Sequence, residues 1–330
     1  MSEIAAIVEA LCMNRGGPAA LATLVAVEGS SYRRAGARLL VRADGTSLGS
    51  ISGGCLEEDL KERASTVIAR GGAELVTYDT TAENDLVWGV GLGCQGVVKI
   101  LVEVVPVGVP SWAETVRANL AARRPTDLAV VHGGADTLGT LLGAAAPRDE
   151  AAEVFRQTIP AAPALVVFGA GNDARPLVAF AAALGWHVSV ADSRATYATA
   201  ERFPEAAAVR VAPAAGQPAL VVADAASHVV VMTHRYRDDL ALLRELLPRP
   251  LAYLGLLGPR KRTERLLAEL AREGFSPDES MLAKLHAPVG LDLGGDGPEA
   301  VALAIVAELQ AVRSSRTGGN LKHRAGPIHG

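Results

Sequence analysis

From Ala164 onward the chain repeats one order of residues: a short apolar run, a glycine or polar turn, then a stretch with helical spacing. ALVVFGAGNDARPLVAFAAALGW is followed by HVSVADSR, AAVRVAP and SHVVVMT, then by a helix near 237–246 and by LAYLGLLG. Short β-branched runs that are apolar throughout must be covered on both faces. Alternation with helices provides that cover only around a parallel sheet. The fold class is therefore α/β, with a Rossmann-like doubly wound parallel sheet over residues 161–313. The change of pattern at Pro160–Pro163 marks a domain boundary, and the polar, glycine-rich end RSSRTGGNLKHRAGPIHG reads as a flexible tail over 314–330.

Residues 1–160 read as a separate mixed α/β domain. A helix is expected over 3–13 and a strand over Ala20–Val27, while Asp44-Gly45 between two strand-like runs signals a hairpin. Gly53-Gly54-Cys55 precedes a helix whose apolar face is Leu56, Leu60, Ala64, Val67 and Ile68, with Glu57, Glu58 and Asp59 in its first turn. After a polar stretch, the loop Gly91-Leu92-Gly93-Cys94-Gln95-Gly96 leads into VVKILVEVV, which alternates as a strand does. A helix at about 112–122 and a hairpin in DLAVVHGGADTLGTLLG follow.

Composition narrows the functional classes. In 330 residues, 32 Lys+Arg stand against 36 Asp+Glu, a formal charge of −4 with no basic block, which argues against nucleic-acid binding through phosphate neutralisation. The three cysteines Cys12, Cys55 and Cys94 form no C-x-x-C and encode neither a disulfide framework nor a structural metal site. The acidic N-terminus and the lack of a long apolar run lead us to expect a cytoplasmic protein with no export signal and no membrane span.

Chemistry concentrates at a few positions. Gly169-Ala170-Gly171-Asn172-Asp173-Ala174 is G-x-G-x-x-A between a strand and a helix, where backbone amides can cradle a phosphate, and Asp192, at the end of the next strand, stands where an acid would bond a ribose. The same turn would suit a Rossmann-like sheet whose crevice is empty or repurposed. Cys55, flanked by glycine and followed by a helix, sits where N–H groups would stabilise a thiolate. Cys94 occupies a glycine loop and could share a site with Cys55, whereas Cys12 falls within an apolar helix face. Arg33, Arg34 and Arg38 could clamp an anion or be solvated. His234, Arg235 and Arg237, and then Arg260, Lys261 and Arg262, follow strands at the edge where open sheets bind ligands; capping and solvated surface are their alternatives.

Taken together, VEGSSYRRAGARLLV, the Gly-Gly-Cys-Leu-Glu run at 53–57, the 91–96 loop, the turn at 169–171 and YLGLLGPRKR at 253–262 resemble the XdhC/CoxI family, accessory factors of xanthine dehydrogenase and related molybdenum hydroxylases. The resemblance covers roughly residues 5–310. It implies a chaperone that binds molybdenum cofactor, as molybdopterin or its dinucleotide form, and supports its sulfuration with a cysteine desulfurase. The cofactor is then delivered to an apo molybdenum hydroxylase. It also implies cofactor contact at Gly53, Gly54, Cys55 and Cys94, with Cys55 the reactive group. A homodimer is left open. Asn172 stands where the family often has His, and Pro259 where it has Ser. The rival reading is an oxidoreductase holding NAD or a similar nucleotide on the Gly169–Gly171 turn, with Asp192 on its ribose; no acid/base residue is evident for it.

Overall fold

A computed structural model describes residues 3–13, 17–79, 96–220 and 226–325, and the chain divides into two compact units, one ending at Ala162 and the other beginning at Pro163.

The first unit runs α1 (Glu3–Met13), β1 (Ala19–Gly29), β2 (Arg38–Arg42), β3 (Ser47–Gly49), α2 (Glu57–Arg70), β4 (Ala73–Asp79), β5 (Gly96–Val105), α3 (Ser111–Ala121), β6 (Thr126–Gly133), β7 (Gly139–Leu142) and β8 (Glu153–Ile159). β1 to β5 form an antiparallel sheet in the order β3-β2-β1-β5-β4, and β6 pairs with β7 and β8 in a second antiparallel sheet. β1 lies at the centre, buried on both faces. Ala20, Ala22 and Leu24 pack with Leu60, Ala64 and Val67 of α2, while Ala19 and Leu21 share a cluster with Ile7, Val8 and Leu11 of α1 and Trp112 and Val116 of α3. Within the stretch read as polar after α2, Ala73–Asp79 is the edge strand β4, and β8 is a second edge strand that the sequence pattern did not reveal.

Arg38, for which the sequence left an anion clamp or a solvated loop open, is a core residue. Arg38 is 2% exposed, and its Nη1 donates to Gly36 O at 2.9 Å and to Gln157 Oε1 at 2.8 Å, which ties β2 to β8. Burial pushes its guanidinium down to about 10 against the pull of Glu103. Arg33 is also engaged, paired with Glu3 of α1 at 2.6 Å.

The second unit has the expected α/β architecture. β9 (Ala164–Phe168), α4 (Ala174–Ala183), β10 (His187–Asp192), β11 (Ala208–Val211), β12 (Ser227–Val231), α5 (Tyr236–Leu246), β13 (Tyr253–Leu256), α6 (Arg260–Arg272), α7 (Glu279–Ala283), β14 (Leu285–His286) and α8 (Pro298–Arg313) follow in order. All strands of the sheet are parallel, in the order β11-β10-β9-β12-β13-β14. Side chains alternate across it: Leu165 and Val167 meet α4 and α8, whereas Val166 and Phe168 meet α5 and α6. The strand order reverses between β9 and β12. A crevice opens there at the carboxyl ends of the strands, where sheets of this kind take ligands.

Gly169 holds that crevice together. Its φ is +115°, and a Cβ there would lie 2.3 Å from the Met232 carbonyl oxygen. A Cβ on Gly171 would meet nothing closer than the His234 ring at 3.8 Å. We therefore expect Gly169→Val to cost about 2–4 kcal/mol through strain and clash, and Gly171→Ala to cost under about 1 kcal/mol. Amide hydrogen exchange in β9 and β12 checks this; equal effects of the two substitutions would contradict it.

Candidate functional site

The loop between β3 and α2 carries Cys55, and it is built around the first residue of the helix. Glu57 accepts from Ser50 Oγ at 2.9 Å, Ile51 N at 3.0 Å, Ser52 N at 2.9 Å and Gly54 N at 2.8 Å, and also from Ser52 Oγ. Ser52 Oγ in turn accepts from Leu56 N at 2.8 Å, and Ser50 Oγ from Gly53 N at 3.1 Å. Burial alone would raise the Glu57 carboxyl; the hydrogen bonds from Ser52, Ser50 and Ile51 outweigh it and draw the group down to about 2. Glu57 is thus an anion at neutral pH, held at the positive end of α2.

This alters the reading of Cys55. The thiol is exposed. The amides on either side of it, those of Gly54 and Leu56, are however committed to Glu57 and Ser52, so they do not stabilise a thiolate. A carboxylate at the first helical position has claimed the donors that the sequence assigned to sulfur. Gly53 and Gly54 have φ of +83° and +123°, and a Cβ on Gly54 would meet nothing within 4 Å, so the chain next to the thiol is open to a ligand.

Cys55 lines a pocket with Ser52, Ser30, Ser31 and Tyr32 over an apolar floor that includes Leu24 and Val98. Gly96, the first residue of β5, lines it too; a Cβ there would fall 2.3 Å from the Ser30 carbonyl oxygen. The end of the 91–96 loop therefore reaches the Cys55 pocket. Cys94 itself lies outside the described residues. Cys12, on α1, is partly buried, and burial pushes its thiol up.

In the second unit the glycine turn and its surroundings are closely cross-linked. Asp192 is 5% exposed and accepts four hydrogen bonds, from Ala170 N at 2.7 Å, Arg194 N at 2.8 Å, Arg194 Nε at 2.9 Å and Arg194 Nη2 at 2.7 Å. A carboxylate has about four acceptor positions. Asp192 thus has none left for a ribose hydroxyl, and the expected ribose contact is replaced by a clamp between the glycine turn and Arg194. Burial raises its carboxyl, but the Arg194 and Ala170 hydrogen bonds leave it below the usual range. Arg202 Nη2 reaches Ala170 O at 3.3 Å and Asn172 Oδ1 at 3.1 Å. Asp173 Oδ2 lies 3.1 Å from His234 Nε2, and the two line a cavity of about 350 Å³ with Gly258, Pro259 and Arg262. His234 has φ of +60°, a left-handed conformation uncommon outside glycine. The sequence offered His234 together with Arg235 and Arg237 after a strand, and its pairing with Asp173 was not legible there. Arg262 is turned to Asp239 at 2.5 Å, which removes it from the exposed cluster expected at 260–262.

Among the described residues no group of three His, Cys, Asp or Glu side chains could hold a metal ion, and no helix is long and apolar enough to cross a membrane.

Comparison with known proteins adds an independent line. The model of the XdhC and CoxI family matches residues 12–79, and that of the XdhC Rossmann domain matches residues 165–309. A Bacillus subtilis protein named as a probable xanthine dehydrogenase subunit is 34% identical over 89% of this chain and 93% of its own length. The Escherichia coli molybdenum cofactor insertion chaperone PaoD is 26% identical over 93% of this chain and 86% of its own. A crystal structure described as a xanthine dehydrogenase from Bacillus halodurans shares 32% identity, covers 97% of this chain and 98% of its own, and superposes with a TM-score of 0.79.

Glu57 is the residue that the sequence undervalued, since a first-turn acid normally does no more than favour the helix dipole. We expect Glu57→Ala to destabilise the loop by about 2 kcal/mol at pH 7, in keeping with the loss of charge-assisted hydrogen bonds. Because the folded carboxyl is depressed from 4.5 to about 2, this contribution is complete above pH 4.5 and is lost as pH falls through about 2. Hydrogen exchange at the Ile51, Ser52 and Gly54 amides, in wild type and variant across that range, reads both effects. A difference that does not shrink with acid would contradict the assignment.

Proposed function

This chain belongs to the XdhC and CoxI family, and on that premise we propose that it is a cytoplasmic maturation chaperone that binds molybdenum cofactor in the Cys55 pocket and hands it to a molybdenum hydroxylase of the xanthine dehydrogenase type. The observation that carries this reading is the exposed thiol of Cys55, set between the open backbone of Gly54 and a pocket lined by Ser30 and Ser31.

The donor set suits the group. A molybdopterin presents a dithiolene, a flat pterin and a phosphate. Soft sulfur at Cys55 and an apolar wall with the Ser30 and Ser31 hydroxyls meet the first two of these chemistries. When bound, the cofactor supplies the molybdenum centre whose ligands are exchanged during maturation. The chain itself provides an exposed thiol at Cys55, a loop held by hydrogen bonds to Glu57, and a backbone at Gly54 that a large ligand can approach. Exposure of the thiol allows release to an acceptor, since nothing in the loop must unfold for the ligand to leave. Cys94, two residues before pocket-lining Gly96, is our candidate for a second sulfur contact. A cysteine desulfurase is the proposed source of sulfur while the cofactor is held.

The glycine turn at Gly169–Gly171 is our candidate for a phosphate-bearing part of the ligand or a separate nucleotide. The oxidoreductase alternative is weakened by Asp192, whose acceptor positions are filled by Ala170 and Arg194.

We expect Cys55→Ser to lower cofactor retention or hydroxylase activation at least about tenfold, a loss of about 1.4 kcal/mol or more in binding, with Cys12→Ser close to wild type. Reconstitution of an apo-hydroxylase with each loaded variant measures this. Full activation by Cys55→Ser would place the site elsewhere.

A further inference from the structure

Tyr32 is 65% exposed, yet it lines the pocket that holds Cys55. Its ring is seated directly on main chain: a Cβ built on Gly53 would come within 2.9 Å of Tyr32 Cε1 and 3.1 Å of Cδ1. Gly53 has φ of +83° and so combines a backbone turn that other residues rarely adopt with the room the ring needs. The aromatic is therefore fixed against the residue that stands two before the thiol in the chain, with most of its surface still open to solvent. Ser30 and Ser31 line the same pocket, with the apolar side chains of Leu24 and Ile51; Ser52 lines it too, its hydroxyl committed to Glu57.

Leaving a large ring exposed forgoes the burial that normally stabilises an aromatic residue. Tyr32 is not among the residues through which the sheet and α2 pack their core. A seated, exposed ring beside hydroxyl donors suits a flat heterocycle. Stacking tolerates any pattern of ring heteroatoms, and the hydroxyls can meet the polar edges.

We infer that Tyr32 is the platform on which the fused-ring part of the Cys55-bound ligand stacks. The inference rests on the cofactor reading above, which supplies a pterin ring, and adds the residue that recognises it. The ring, not the phenolic hydroxyl, makes the contact.

The test uses the full chain and purified molybdenum cofactor, with affinity measured for wild type, Tyr32→Ala, Tyr32→Phe and Tyr32→Trp. We expect Tyr32→Ala to bind about tenfold more weakly, Tyr32→Phe to stay within about twofold and Tyr32→Trp to bind at least as tightly as wild type, in line with the usual strength of aromatic stacking. Thermal unfolding of Tyr32→Ala should match wild type because the side chain is exposed; if that variant fails to fold, the Phe and Trp substitutions still decide the matter. Unchanged affinity in Tyr32→Ala, or a Tyr32→Phe as weak as Tyr32→Ala, overturns the platform and leaves the Cys55 reading intact. A wild-type chain that binds no cofactor overturns that reading and the platform with it.

Discussion

The hydrogen bonds converging on Glu57 fix the part of the molecule on which its function turns. Four residues ahead of the helix, from Ser50 to Gly54, direct two hydroxyls and three amides at a single carboxylate. A glycine-rich loop is ordinarily expensive to order, because glycine surrenders the most conformational freedom on folding. Here an ionised acid offsets that cost. The result is an exposed thiol on a loop whose neighbouring backbone is tied down by hydrogen bonds.

The second unit uses the same device. Asp192 gathers the Ala170 amide and the fork of Arg194, so the glycine turn is held from below by an acid that is nearly buried. Arg202 holds the turn from the other side through Ala170 O and Asn172. In both units a carboxylate that a motif reading assigns to helix polarity or to a ligand is committed to the shape of a loop. Carboxylates at such positions can serve either end, and their partners decide which one prevails.

The sequence was most legible where burial is most uniform. β9 is buried along its whole length and its apolar run ALVVF is unbroken, and the helix at α4 follows a glycine turn that announces it. β4 and β8 escaped notice because they are edge strands whose AELVTYD and EVFRQTI mix exposed and buried positions. The helix start next to Cys55 was readable from the sequence, whereas the destination of the neighbouring amides was not, since it depends on how Glu57 folds back. Arg38 misled for a related reason: an arginine at a strand start looks like a surface cation until Gln157, far along the chain, takes its guanidinium into the core. The His234–Asp173 pair joins positions 234 and 173 across the crevice, a proximity that only the parallel topology creates.

The central claim is that the thiol-bearing pocket holds molybdenum cofactor. Mass spectrometry of the small molecules carried through native purification tests it most directly, with wild type and Cys55→Ser prepared side by side. We expect a pterin with its phosphate on the wild-type chain and its depletion from Cys55→Ser. A nicotinamide nucleotide retained equally by both chains, with no pterin on either, would contradict the account.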